Sequence, residues 1–121
     1  MNSVWIVIGA ISGFFTVVLG AFGTHGLKEI LHNNQTTDIY NKAVFYQMFH
    51  SIAILIIGLL EIYSEKSIFL SGLFFAIGIL IFSGSLYILS ITNIKWLGAI
   101  TPIGGLCFLI GWIILIFFAI R

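Results

Sequence analysis

The spacing of the charged residues constrains this chain more than any other sequence feature. The 121 residues include five Lys and Arg and four Asp and Glu. Four long stretches carry no charge, at residues 4–23, 43–60, 67–94 and 96–120. About 20 apolar residues in a helix cross a hydrocarbon layer of about 30 Å. The pattern therefore predicts four membrane-spanning helices.

Composition excludes a soluble domain. Hydrophobic residues make up 60% of the chain and charged residues 7%, and the mean hydropathy is +1.19. A chain this short has too little interior to hide so much apolar surface from water. The net charge of +1 gives no electrostatic basis for binding nucleic acid. The one cysteine, Cys107, cannot form a disulfide within the chain.

We expect an all-α fold, an integral membrane four-helix bundle that forms a single transmembrane domain over residues 1–121. In hydrocarbon a backbone must satisfy its own hydrogen bonds, which favours helices. The first helix lacks the basic start of a signal peptide, so we expect it to be retained. The expected helices cover about residues 4–23, 39–62, 68–90 and 96–120.

The connection between helices 1 and 2 is the most polar part of the chain. Leu27, Ile30 and Leu31 would share one face of a short helix there, which predicts a short interfacial segment. Asp38 is the expected N-cap of helix 2. Near the start of helix 4, Pro102 predicts a kink or a loosened turn, because proline removes a helical hydrogen bond.

The first predicted helix carries a stripe of small residues. Lipid gives helices no hydrophobic reason to associate, and small residues permit close approach of two backbones. We therefore predict a helix-packing face, whose partner is either in the same chain or in a second copy. Its members recur every three or four positions: Gly9, Gly13, Thr16, Gly20 and Gly23.

A polar intramembrane cluster is expected around His50. A histidine in hydrocarbon is costly unless it is hydrogen-bonded, and it is a functional candidate by default. Two alternatives stay open: a clamp in which His50 bonds a Ser or Tyr of helix 3, or a ligand or proton site. The cluster comprises Tyr46, Gln47 and His50 of helix 2 with Ser83, Ser85, Tyr87 and Thr101.

Metal and catalytic chemistry are not expected. His25 and His50 could approach each other, but no third ligand follows at a metal-binding spacing. Ser83 and Ser85 lack the activating groups and the oxyanion hole of a serine nucleophile, and helix packing explains them better. We therefore expect no cofactor, no metal and no enzyme activity.

Four ordered strings resemble a known family. The chain resembles the YgdD/YwdK family of small bacterial inner-membrane proteins, which is related to the eukaryotic transmembrane protein 256. The resemblance covers essentially the whole chain. The strings are GAFGTHGL at residues 20–27, Tyr46-Gln47 with His50, FSGSLY at 82–87 and TPIGG at 101–105.

This resemblance implies a multi-pass protein of the bacterial plasma membrane and no particular reaction, because the family is a domain of unknown function. It also implies that both termini and residues 64–66 are cytoplasmic and that residues 24–42 lie outside. The basic tail typical of the family is reduced here to Arg121. Basic residues alone do not orient the chain, because they are split almost evenly between the two sides.

Two functions from different classes fit these features. The first is a self-associating structural or accessory protein, whose partners are the lipid bilayer and further copies of the chain. The alternative is a small transporter or channel with a polar path near His50. No acidic residue lies in the interior of a predicted span, and four helices enclose little lumen, so the first function is favoured.

Overall fold

The computed structural model describes residues 3–120, and this part of the chain is helical with no strand. Met1, Asn2 and Arg121, the last of which bears on the expected topology, lie outside the described residues. The α-helices are α1 (Val4–His25), α2 (Lys28–Asn34), α3 (Thr37–Ser64), α4 (Phe69–Gly78), α5 (Gly84–Thr92) and α6 (Thr101–Ile120).

Within residues 3–120, four helical stretches are long and apolar enough to cross a membrane: α1, α3, Phe69–Thr92 and Lys95–Ile120. The third span joins α4 to α5 through a π-helical turn, Ile79–Ser83. The fourth begins with a 3₁₀ turn, Lys95–Ala99, before α6. The expected all-α membrane class is confirmed, and the helices begin or end within a few residues of the expected positions.

The break in the fourth span lies directly before Pro102. Pro102 is the second residue of α6. A proline costs little there, because the first N–H groups of a helix have no intrahelical acceptor. The loosened turn therefore lies in the 3₁₀ segment, and α6 itself starts at Thr101.

The connection after α1 forms the short helix α2, at the place expected for the interfacial segment. Leu27 and Leu31 are buried against Tyr40 of α3. Ile30, the third apolar side chain of the predicted segment, is 42% exposed and does not join this contact. Leu27 and Leu31, four positions apart, therefore make the contact with α3, and Ile30 lies on the exposed side of α2.

The prediction of Asp38 as the N-cap of the second span was wrong. Helix α3 begins at Thr37, after Thr36 in the cap position, so Asp38 lies inside the first turn. A carboxylate is still favourable there, because the helix dipole is positive at this end. The Thr36 hydroxyl does not cap α3, since it donates to the Ser90 carbonyl of α5 at 2.6 Å. That bond ties the connection to the end of the third span.

The spans pack in the order of the chain. Helix α1 packs chiefly against α3, and the third span packs between α3 and α6. The core lies between these elements and consists mainly of large apolar side chains, among them Trp5, Ile54, Ile57, Phe75 and Phe108. Helices α1 and α6 therefore lie on the outside and expose most of their surface.

The small-residue stripe of α1 faces α3 of the same chain. A Cβ atom at Gly9 would lie 2.9 Å from the Leu55 side chain, and one at Gly23 would overlap the ring of Tyr40. Thr16, between them, is buried. The stripe also includes Gly20, whose Cβ would lie 3.5 Å from Val44, and Gly13, whose Cβ would meet nothing within 4 Å. All of its members except Gly13 are thus packed within the chain.

Candidate functional site

His50 lies at the middle of the longest helix. Helix α3 extends from Thr37 to Ser64, so His50 is about 20 Å along the axis from either end. Its side chain is only 2% exposed. An ionisable group is therefore held in the middle of an apolar span, where its polar atoms require partners inside the protein.

Both ring nitrogens of His50 have such partners. The Trp112 indole N–H lies 3.1 Å from Nε2 of His50. An indole nitrogen only donates, so Nε2 accepts and the ring proton of a neutral imidazole sits on Nδ1. Nδ1 lies 2.9 Å from the Tyr46 carbonyl oxygen and donates to it. The geometry thus describes a neutral imidazole with both nitrogens in use.

Aromatic rings enclose the imidazole. The Phe108 ring stacks on His50 with 3.6 Å between ring centroids and 7° between ring planes. The Tyr46 ring is nearly parallel to His50 at 6.1 Å, and Phe75 packs at 5.5 Å. These flat faces exclude water from the imidazole and fix its orientation.

The partner of His50 differs from the expected one. A clamp to a Ser or Tyr of the third span was the first alternative, whereas the structure pairs His50 with Trp112 in α6 of the fourth span. The third-span hydroxyl of Ser83 is already in use, because it donates to the Ala43 carbonyl of α3 at 2.8 Å.

A second polar group centres on Gln47. The Tyr87 hydroxyl donates to Oε1 of Gln47 at 2.6 Å, and Nε2 of Gln47 donates to the Ser12 carbonyl at 3.1 Å. The Ser12 and Ser51 hydroxyls are 2.6 Å apart. These bonds connect α1, α3 and α5 through groups that are separate from the His50 pair.

A third pair lies nearer the start of α6. The hydroxyls of Ser85 and Thr101 are 2.7 Å apart and join α5 to α6. The expected polar cluster is therefore distributed over separate contacts instead of forming one site. Gln47 meets Tyr87, Ser85 meets Thr101, and His50 hydrogen-bonds neither pair.

Sequence reasoning missed Ser12, Trp112 and Ser71, the last of which donates to the Gly111 carbonyl at 2.8 Å. Trp112 carried a usable signal. Tryptophan favours the membrane interface, so a tryptophan deep inside an apolar span indicates an internal hydrogen-bond acceptor. Ser12 sits beside the glycine stripe and has no comparable signal.

The histidines do not form a metal site together. Gly23, near the end of α1, packs on Tyr40, which is about 15 Å along α3 from His50. His25 is exposed beyond that point. Among residues 3–120, no three His, Cys, Asp or Glu side chains come together in a way that could hold a metal ion.

Comparison with known proteins identifies the family. The family model described as "Protein of unknown function (DUF423)" matches residues 19–105. A UPF0382 membrane protein of Staphylococcus epidermidis is 43% identical over 113 residues, which are 93% of this chain and 92% of that protein. No solved structure matches the chain.

Two further relatives come from Bacillus subtilis and Haemophilus influenzae. The UPF0382 membrane protein YwdK of Bacillus subtilis is 39% identical over 120 residues, covering 98% of this chain and 97% of the relative. A UPF0382 membrane protein of Haemophilus influenzae is 46% identical over 113 residues, covering 93% and 90%. With four apolar spans in the structure, these matches confirm the expected family and the location in a bacterial membrane. The chain therefore belongs to the DUF423 family of membrane proteins of unknown function.

Proposed function

We propose that this chain is a structural or accessory membrane protein without catalytic activity. The pairing of its intramembrane polar groups carries the proposal. His50, Gln47 and Ser83 all bond other parts of the chain. A general base or a nucleophile needs a nitrogen or hydroxyl that can reach a substrate, and these atoms already hold helices together.

The transport alternative requires a wetted path through the membrane. The side chains of the polar cluster, which would have to line such a path, bond one another and backbone carbonyls, as in the Gln47–Tyr87 and Ser85–Thr101 pairs. This pairing supports the structural function over transport.

Proteoliposome flux tests the choice between these functions. We expect proton and potassium fluxes equal to those of empty vesicles, followed with a trapped pH-sensitive dye and with a potassium gradient. A faster flux that disappears in Gln47→Leu would overturn the structural proposal. Gln47→Leu removes the polar centre of the path that transport would require.

We also propose that the protein self-associates through α1. Apart from Gly13, its inner stripe is covered by α3, and the face beside that stripe exposes a second run of small and medium-sized side chains. Such a face in lipid permits close approach of another helix. It comprises the exposed Ala10, Val17 and Ala21 and the half-buried Gly13, at spacings of three and four residues.

The mass of the purified protein, corrected for bound detergent, tests self-association. We expect a multiple of the 13.4 kDa chain. Val17→Trp places a bulky ring on the proposed face, where Val17 is 71% exposed, and should yield single chains. Leu80→Trp is the matched control, at a side chain 75% exposed on the third span. A single-chain mass for the unmodified protein in several detergents would contradict the proposal.

A further inference from the structure

A lateral groove opens toward lipid between α3 and α6. It has a volume of about 830 Å³, within the range of small-molecule sites. Its lining is apolar and unusually rich in aromatic rings, with His50 among its residues. The rings belong to Phe45, Tyr46, Phe49, Phe82, Phe108 and Trp112.

One polar atom of this lining is unused. The Tyr46 hydroxyl makes no hydrogen bond within residues 3–120, whereas the nitrogens of His50 and Trp112 are bonded to each other. A phenol without a partner is unfavourable in hydrocarbon. The groove therefore offers one hydrogen-bond donor, and its matching occupant carries an acceptor.

The depth of Tyr46 restricts the kind of acceptor. Its Cα lies one helical turn, or about 6 Å, from the midpoint of α3 at His50. The ester oxygens of phospholipids lie at the edge of the hydrocarbon layer, about 15 Å from its centre. An acceptor at the depth of the Tyr46 backbone points to a molecule dissolved among the acyl chains rather than to a phospholipid ester.

The aromatic walls restrict the shape of the occupant. Phe45 and Phe49 stack on each other along the exposed wall, with half of each side chain uncovered. Aromatic faces favour a flat ring through offset stacking. We propose that the groove binds a lipid-soluble quinone, with the Tyr46 hydroxyl donating to one of its carbonyl oxygens. This binding is independent of the proposed self-association.

Quenching of tryptophan emission by decylubiquinone tests the proposal, because Trp112 lines the groove. The full chain is titrated in lipid nanodiscs, and we expect a saturable component. Tyr46→Phe should weaken the affinity about fivefold through loss of one hydrogen bond. Tyr63→Phe is the control, because Tyr63 is 86% exposed and outside the groove, and its affinity should equal that of the unmodified chain.

A second pair of variants tests the groove itself. A Cβ at Gly105 would lie 3.9 Å from its nearest neighbour, so Gly105→Leu fills the groove without a clash at the backbone. It should abolish saturable quenching. Gly84→Leu, at a glycine whose Cβ meets nothing within 4 Å and which lies outside the groove, should leave it unchanged. Thermal unfolding verifies that every variant is folded.

Three results would overturn the quinone assignment. The first is quenching that rises without saturation and equally in all variants, because it reports partition into lipid alone. The second is an affinity of Tyr46→Phe equal to that of the unmodified chain, because the Tyr46 hydroxyl would then make no hydrogen bond to a quinone carbonyl. The third is a phospholipid that stays bound in native mass spectra, is lost in Gly105→Leu and is not displaced by decylubiquinone. Self-association through α1 is tested by the detergent-corrected mass, so its failure is distinguishable from these three results.

Discussion

His50 is a buried polar residue whose role follows from its two nitrogens. One donates to the carbonyl of its own helix and the other accepts from Trp112, 62 positions away in the sequence. Only the second bond connects two spans. Its contribution to stability is modest, because membrane hydrogen bonds have competing partners in the unfolded state.

We expect His50→Leu to lower the free energy of unfolding by about 0.6 kcal/mol and at most about 2 kcal/mol. The leucine leaves the Trp112 N–H without an acceptor. His50→Gln should retain most of the stability, because an amide oxygen can accept from the indole. Thermal unfolding in detergent measures the three proteins side by side.

Trp112→Phe is the matched control for this bond, since it removes the donor and keeps an aromatic ring. If the bond carries the effect, His50→Leu combined with Trp112→Phe should cost less than the sum of the two single changes. Equal melting of His50→Leu, His50→Gln and the unmodified protein would contradict the clamp and favour a ligand role for His50.

The residues of this site were only partly predictable. Tyr46, Gln47 and His50 stood out because polar groups are rare in apolar spans, and the structure buries or half-buries all three. Their partners were not predictable, because a side chain three or four positions away shares a helix face but does not reveal the neighbouring helix. Gln47 and His50 accordingly bond different spans.

Helix α1 is held to α3 by small residues, and Gly23 is the tightest of these contacts. Its neighbour Tyr40 cannot easily move, because the ring is 1% exposed and its hydroxyl donates to the Leu19 carbonyl. We expect Gly23→Ala to cost about 1–3 kcal/mol, the usual range for overpacking. Thermal unfolding again provides the measurement.

Gly13→Ala is the control in the same helix, because a Cβ at Gly13 meets nothing within 4 Å. Alanine favours the helix over glycine by up to about 1 kcal/mol, so this variant should be as stable as the unmodified chain or more so. If Gly13→Ala and Gly23→Ala melted alike, the α1–α3 contact would not depend on the stripe.

Helix interruptions were harder to predict than helices. The spacing of the charged residues predicts four spans, because an uncharged stretch only has to be long enough to cross the bilayer. The π-helical turn at Ile79–Ser83 leaves no such signal, because one wide turn changes the register without changing the composition. The end of α5 likewise depends on residues that are distant in the sequence, because the side chains of Asn34 and Thr36 donate hydrogen bonds to the Ser90 carbonyl.

The orientation of the entire protein is testable by cysteine labelling. In a Cys107→Ala background, His32→Cys and Ser67→Cys place exposed thiols at opposite ends of the spans. We expect a membrane-impermeant reagent to label His32→Cys in intact cells and Ser67→Cys only after permeabilisation. The reverse pattern would contradict a cytoplasmic location for the termini.

The arrangement of the four spans is the part that the sequence could not supply. Small residues predicted close packing in α1 but left open whether the partner was α3 or a second copy. Contacts such as Gly9 with Leu55 and Gly104 with the Phe82 backbone assign these faces to the same chain. Apolar spans resemble one another too closely for their pairing to be read from composition.

The packing of each span on its neighbour in the sequence has a consequence for biosynthesis. The α1–α3 pair can assemble while the ribosome is still making the third span, because its contacts need nothing downstream. The His50–Trp112 bond is different, since it requires the second half of the last span. A nascent chain that stops before Trp112 presents an imidazole nitrogen to hydrocarbon, so the centre of the bundle closes only once the fourth span has been synthesised.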